Sequence, residues 1–170
     1  MLTGRRPFYR EAYNRRVRNG PCFICALVEG RPGPNRVVYE DETAVAWLNP
    51  WPTLPGYTLV APKRHVEGVT GDFDQNEYVA LQRVVHRVGE AVRLTVPTER
   101  LYVLSLGSHE GNSHVHWHVA PLPPGVPYDE QQLEALRVER GVLDLTGEEL
   151  DELARRLRTR LGGDAPTHLP

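Results

Sequence analysis

Cysteine is scarce: two residues in 170, alongside a single methionine and three phenylalanines. Two thiols make no disulfide scaffold, and at this length one domain can bury a core without staples. No apolar run approaches the ~20 residues of a membrane span, and the N-terminus lacks the apolar centre of a signal peptide. The chain is therefore expected in the cytoplasm, without a membrane partner. There, paired cysteines serve as thiolates or metal ligands more often than as a structural disulfide. A charge surplus is missing too. The formal net charge is -2, which gives no bulk attraction to a nucleic acid polymer or an anionic bilayer. Internal repeats and low-complexity linkers are absent as well.

Histidine is where the sequence is rich. Three of the seven fall in Gly111-Asn112-Ser113-His114-Val115-His116-Trp117-His118-Val119-Ala120-Pro121, each separated from the next by one apolar residue. In a strand, side chains alternate faces, so His114, His116 and His118 are expected on one side and Val115, Trp117 and Val119 on the other, in a core. Valine and tryptophan favour strands, and the Pro123-Pro124-Gly125 run closes the segment. A row of imidazoles fills a core poorly but presents ring nitrogens well to a ligand or a metal.

Upstream, residues 5–20 carry six arginines against the single acid Glu11. Phe8, Ala12 and neighbouring aromatics sketch a helical stripe that ends at Asn19-Gly20. Such an arm is a solvated face, a dock for a partner subunit or an aid in holding a polyanion. Cys22-Phe23-Ile24-Cys25 follows. By itself this Cys-x-x-Cys is a redox pair, half of a zinc site or chance, and the helix-like segment before it disfavours the redox reading. Two β segments around Val37–Tyr39 and Val45–Leu48, joined at Glu40-Asp41-Glu42, read as a hairpin, and a third runs Tyr57–Ala61. Asp74 and Glu77 form a capping box for a long helix over 74–95, with His86 a partly exposed residue on it. Leu101–Leu106 is a fourth strand, a glycine-bearing loop follows, and the histidine segment is the fifth. Asp129–Arg140 reads as a short helix. Thr146 and Glu149 cap a last helix striped with Leu150, Leu153, Leu157 and Leu161, and Gly162–Pro170, with His168, reads as a disordered tail. Strands, one long helix, then more strands predict an α+β fold with a five-stranded antiparallel sheet and a C-terminal helical extension.

The histidine segment resembles the His-φ-His-φ-His-φ-φ signature of the histidine triad (HIT) nucleotide-binding family. The likeness extends over about residues 21–122, through Asn49-Pro50, Pro55-Gly56-Tyr57-Thr-Leu-Val-Ala-Pro-Lys-Arg-His65 and the Gly111-Asn112-Ser113 approach. It divides the chain into a basic arm over 1–20, a HIT-like domain over 21–122 and an extension over 123–170. The departures are Tyr57 where the family usually has histidine, a shorter loop before His114, and Leu122 in place of an arginine.

The resemblance implies a nucleotide hydrolase or nucleotidyltransferase. A histidine attacks the α-phosphate of a dinucleoside polyphosphate, nucleoside phosphoramidate or nucleotide sugar, forming a covalent nucleotidyl-histidine. By the same likeness His116 is the nucleophile and His118 its phosphate-contacting partner, while Asn49, Asn112 and Ser113 bind the nucleotide. Cys22, Cys25, His65 and His114 correspond to the structural zinc site of the branch that carries Cys-x-x-Cys. Two protomers pair through their sheets in that family, so a homodimer is expected; the leucine-striped last helix also needs a surface to cover. The residues themselves leave other readings open: a nucleotide-binding sensor or scaffold with little turnover, or a metal-dependent hydrolase with His116 and His118 as ligands. His65 can equally be a surface or phosphate-contacting residue, and His114 a free triad member.

Overall fold

The structure is a computed structural model that describes residues 4–162; the expected tail beyond them, His168 included, lies outside the described residues. Five antiparallel strands form the central sheet: β2 (Arg36–Glu40), β3 (Ala44–Leu48), β4 (Thr58–Pro62), β5 (Arg100–Ser105) and β6 (Trp117–Leu122), in the order β2-β3-β4-β6-β5. Of the three inner strands, β3 and β4 are buried at every position, which explains why Ala44–Leu48 reads as an unbroken apolar run. Both faces are covered, so neither needs polar residues. On one face Ala46, Leu48, Val60, Trp117 and Val119 pack beneath the long helix α3 (Gln75–Thr95) and the last helix α4 (Gly147–Leu161). On the other, Val45, Trp47, Tyr57, Leu59 and Ala120 pack with Ile24 of the short helix α2 (Phe23–Val28).

The capping boxes at Asp74/Glu77 and Thr146/Glu149 are both formed; each cap is worth about 1 kcal/mol of helix stability. The leucine stripe of α4 is covered within the chain: Leu157 and Leu161 are buried with Val88 and Val92 of α3. That stripe therefore supplies no argument for a dimer.

Three local expectations are corrected. The histidine strand begins only at Trp117. His114, at a bend, and His116 sit in irregular chain ahead of it, because Val115 bonds through its amide to the Val66 carbonyl rather than joining the ladder. Residues 129–140 form no α-helix but three short 3₁₀ turns, held by local bonds such as Arg140 N to Arg137 O. The arm is not a bare helix either. Helix α1 (Arg10–Asn19) is preceded by strand β1 (Arg5–Arg6), which pairs antiparallel with β7 (Val142–Leu143) of the C-terminal extension. The arm and the extension thus meet at β1 and β7, and they clasp the segment after β3. Leu143 donates its amide to Pro52 O at 2.8 Å, and the Arg5 guanidinium reaches Thr53 O at 3.0 Å.

Candidate nucleotide site and metal centre

Cys22, Cys25, His65 and His114 converge, with their ligand atoms all within 4.8 Å of one another. Cys22 closes the N-terminus of α2, where its sulfur accepts the Cys25 amide. His65 follows β4, and His114 precedes β6. The ring nitrogens are already assigned by their surroundings. His114 Nε2 donates to the Pro62 carbonyl at 2.9 Å, leaving the Nδ1 lone pair 3.4 Å from Cys22 Sγ. His65 Nε2 lies 3.3 Å from a Glu67 carboxylate oxygen, leaving Nδ1 3.2 Å from Cys25 Sγ. In both rings a donor bond at the far nitrogen fixes the tautomer that a metal needs. Burial, with Cys22 alongside, pushes the Cys25 thiol up to about 11, and burial takes His114 down to about 4. Two thiolates side by side are costly without a cation; a divalent ion reverses that balance. These four residues could hold a metal, and a Cys₂His₂ set leaves no open position for substrate.

His116 and His118 lie apart from this cluster, their ring centroids 4.8 Å from each other. His116 is 4% exposed, and its Nδ1 donates to the His114 carbonyl at 2.8 Å. A carbonyl can only accept, so Nδ1 carries the hydrogen and Nε2 keeps its lone pair. Burial holds the ring below its ordinary pKa, in the neutral form. The Tyr57 phenol is 2.8 Å from His118 Nδ1. With the phenol hydroxyl as donor in this contact, His118 carries its own hydrogen on Nε2. That Nε2 is buried, and the Leu106 carbonyl lies against the ring. Burial, with His116 beside it, takes His118 down to about 3. Both rings line a cavity of about 310 Å³ together with Asn49, Trp51, Ser108 and Asn112. Among the described residues no carboxylate is on its wall. It therefore offers a neutral imidazole with a free lone pair beside an N–H donor.

The positioning of these groups is local. Gly56 takes φ +80°, and a Cβ there would meet Val96 at 3.0 Å; this turn sets Tyr57 at the start of β4 with its ring under the sheet. His118 is paired with Leu59 in the β4–β6 ladder, which brings phenol and imidazole onto one face. Asn49 accepts the Trp51 amide through Oδ1 at 2.9 Å, and its side-chain amide makes no hydrogen bond among the described residues.

The HIT domain family model matches residues 31–124. The chain belongs to the HIT family. A curated HIT-like protein of Saccharolobus solfataricus is 30% identical over 103 residues, covering 59% of this chain and 73% of that protein. The protein hit of Bacillus subtilis is 31% identical over 105 residues, 60% of this chain and 70% of its own length. Among solved structures, a zinc-bound histidine triad family protein from Mycobacterium smegmatis superposes with a TM-score of 0.65 at 26% identity, over 83% of this chain and 93% of that one. A hypothetical histidine triad nucleotide-binding protein from Sulfolobus tokodaii gives 0.67 at 24% identity, over 83% and 92%.

Beyond the matched HIT segment, the arm contributes walls that sequence reading did not assign. Tyr13 of α1 lines the His116 cavity and accepts the Asn112 side-chain amide at 2.8 Å. Phe8, Tyr13 and Trp51 form one aromatic cluster, the Tyr13 and Trp51 rings 5.3 Å apart. The aromatics of residues 8–13 are visible in the sequence; their target is not, because Trp51 is a loop residue forty positions away. Ser113 lies outside the His116 cavity and borders two neighbouring ones instead. Glu67 was also missed. Its second oxygen takes His109 Nδ1 at 3.2 Å, and bonds from Ser113, His65 and His109 hold the carboxyl at about 2. The histidine on α3, His86, is exposed as expected.

Proposed function

We propose that this HIT protein is a nucleotide hydrolase or nucleotidyltransferase in which His116 is the nucleophile. The single observation that carries the reading is His116: its Nδ1 is held by the His114 carbonyl, so its Nε2 lone pair is free, with the buried His118 ring beside it in the same cavity. His116 Nε2 forms a bond to the α-phosphorus of a dinucleoside polyphosphate, nucleoside phosphoramidate or nucleotide sugar. The bond from phosphorus to the leaving oxygen or nitrogen breaks, and the leaving group departs with that electron pair. Water, or phosphate in a phosphorolytic transfer, then attacks the same phosphorus and expels His116. His118 donates its Nε2–H to a phosphoryl oxygen as charge builds there. Asn49 and Asn112 border the nucleotide, and Ser113 acts beyond the reacting cavity through Glu67. On this reading residues 21–122 carry the chemistry, Tyr13 of the 1–20 arm closes one wall, and the 123–170 extension holds the arm through β7. The reading includes a homodimer, as the family resemblance implies.

Zinc fits the four-residue cluster, on the donor set and on the tautomers fixed by Pro62 and Glu67, and a zinc-bound relative shares the fold. Cys22, Cys25, His65 and His114 would hold it, and the ion would neutralise two thiolates and tie the Cys-x-x-Cys turn of α2 to the segment before β6. The alternative with His116 and His118 as metal ligands is disfavoured: among the described residues no carboxylate lines their cavity to complete such a site. A sensor with little turnover would need no free lone pair on His116. The test is rapid quenching of wild-type protein mixed with an adenylyl phosphoramidate, a dinucleoside polyphosphate or a nucleotide sugar. Intact mass should show an acid-labile nucleotidylated species, absent in His116→Ala, which should also lose turnover while binding nucleoside monophosphate within a few fold. Turnover surviving that substitution would overturn the mechanism.

A further inference from the structure

A cavity of about 430 Å³ lies beside the one that holds His116. The two share Tyr13, Phe23, Trp51, Gly111 and Asn112 as walls, so a ligand seated at His116 has a second chamber next to its phosphate. Helix α1 builds the far side of that chamber, and α1 lies outside the matched family segment. Its seat is specific. A Cβ at Gly111 would come within 3.1 Å of Val17, and the Asn112–Tyr13 bond pins the helix to the loop before the histidines.

Arg16 is the feature of this chamber that calls for a ligand. Its guanidinium rests 4.6 Å from the Trp51 ring and 5.3 Å from that of Tyr13, two residues of the shared wall. Arg10 pairs with Glu139 and Arg18 with Glu110, but Arg16 has no carboxylate in ion-pair range among the described residues. Glu110, the chamber's acid on the loop side, is already neutralised by Arg18. An exposed arginine held on two aromatic faces keeps its planar fork oriented while its charge remains unpaired, which suits the oxygens of a phosphate. We propose that this second chamber receives the part of the substrate beyond the α-phosphate, and that this part is a β-phosphate or longer polyphosphate bound by Arg16. The inference rests on the nucleotidyl-transfer reading and narrows it: the preferred leaving group is a phosphate chain rather than a neutral amine.

The test separates the two ideas because it measures binding without turnover. Calorimetry with AMP, ADP and ATP, and with the guanosine series in parallel, should give wild-type affinity that rises on the order of tenfold from mono- to diphosphate. Arg16→Ala should erase that rise and leave the monophosphate unchanged; Arg16→Lys should restore part of it, as a point charge without the fork. Arg15→Ala removes the same charge from the next residue, which lines no described cavity, and should change nothing. Equal weakening of mono- and diphosphate in Arg16→Ala, an Arg15→Ala loss as large as that of Arg16→Ala, or no mono- to diphosphate rise in wild type would each overturn the proposal. A wild-type rise that Arg16→Ala erases, in a protein that forms no nucleotidyl-histidine, would leave the chamber standing and remove the mechanism instead.

Discussion

The Tyr57 phenol oxygen lies 2.8 Å from Nδ1 of His118; with the hydroxyl as donor it decides which nitrogen of His118 carries the hydrogen that faces the cavity. Family members usually have histidine at this position. A phenol does the same orienting work with one fixed donor and no titration near neutrality, and burial raises its pKa further still. Tyr57→Phe removes the donor and frees the imidazole to present either tautomer. The expected result is a loss of about tenfold in kcat, the size of one neutral hydrogen bond of ~1 kcal/mol or slightly more, with KM changed by no more than a few fold. Tyr57→His should recover most of that loss. Steady-state kinetics of the three proteins check it; an unchanged kcat in the phenylalanine variant would remove Tyr57 from the positioning role.

Acid should destabilise the protein through the same ring. His118 titrates near 3 when folded because burial opposes its charge, against about 6.5 when unfolded. Between those values the unfolded state binds more protons, so stability rises with pH there and is lost as pH falls below about 6.5. Each such proton contributes a slope of at most ~1.4 kcal/mol per pH unit. Urea midpoints of wild type and His118→Gln between pH 7 and 4 test this. The variant's curve should be the flatter, and parallel curves would show that His118 does not carry the acid limb.

Much of the fold was legible because it is written locally. Asp74 and Glu77, and Thr146 and Glu149, announce their helices by side chains that bond within four residues. The alternation of Val115, Trp117 and Val119 against the histidines survives as the division between the two cores, even though the ladder starts at Trp117. What was not legible depends on partners distant in sequence. Arg5-Arg6 forms a strand only because Val142-Leu143 lies alongside, and no local pattern announces a two-residue pairing. Residues 129–140 carry helical spacing, yet Gln132 takes φ +56°, which interrupts any continuous α-helix. At the site, the cysteines and histidines were nameable by type and resemblance, whereas Tyr13, Arg16 and Glu67 are surface-type residues whose roles exist only once α1 and the loop after His65 are folded against the 107–113 loop.

Glu67 connects the metal cluster to that loop. One carboxylate oxygen faces His65 Nε2 and the other His109 Nδ1. Carboxylates that hold the far nitrogen of a ligating histidine commonly contribute 10- to 100-fold in metal affinity. Glu67→Gln keeps the shape and loses the charge, so zinc affinity measured by chelator competition should fall within about that range. Melting temperature at saturating zinc should stay close to wild type. An affinity unchanged within error would reduce the Glu67–His65 contact to a surface ion pair of little consequence.

The three histidines should separate by phenotype. His114 directs its Nδ1 lone pair at Cys22, while His116 and His118 face another cavity, so adjacent members of one motif belong to two sites. His114→Ala, Cys22→Ser, Cys25→Ser and His65→Ala should each release metal and lower the melting temperature. A drop of 5 °C or more is expected for buried His114 and the half-buried cysteines, since each kcal/mol is worth roughly 2–4 °C in a chain of this length. Activity in these variants should fall only in step with folding. His118→Ala should keep its metal and slow the chemical step, because its N–H serves a phosphoryl oxygen and not the ion. Chelator treatment of wild type should reproduce the His114→Ala melting curve and leave the melting curve of that variant unmoved. Metal analysis by mass spectrometry beside thermal melts reads both quantities on the same samples. About one zinc per chain in His114→Ala would mean that this ring is not a ligand and that the triad acts as a single unit after all.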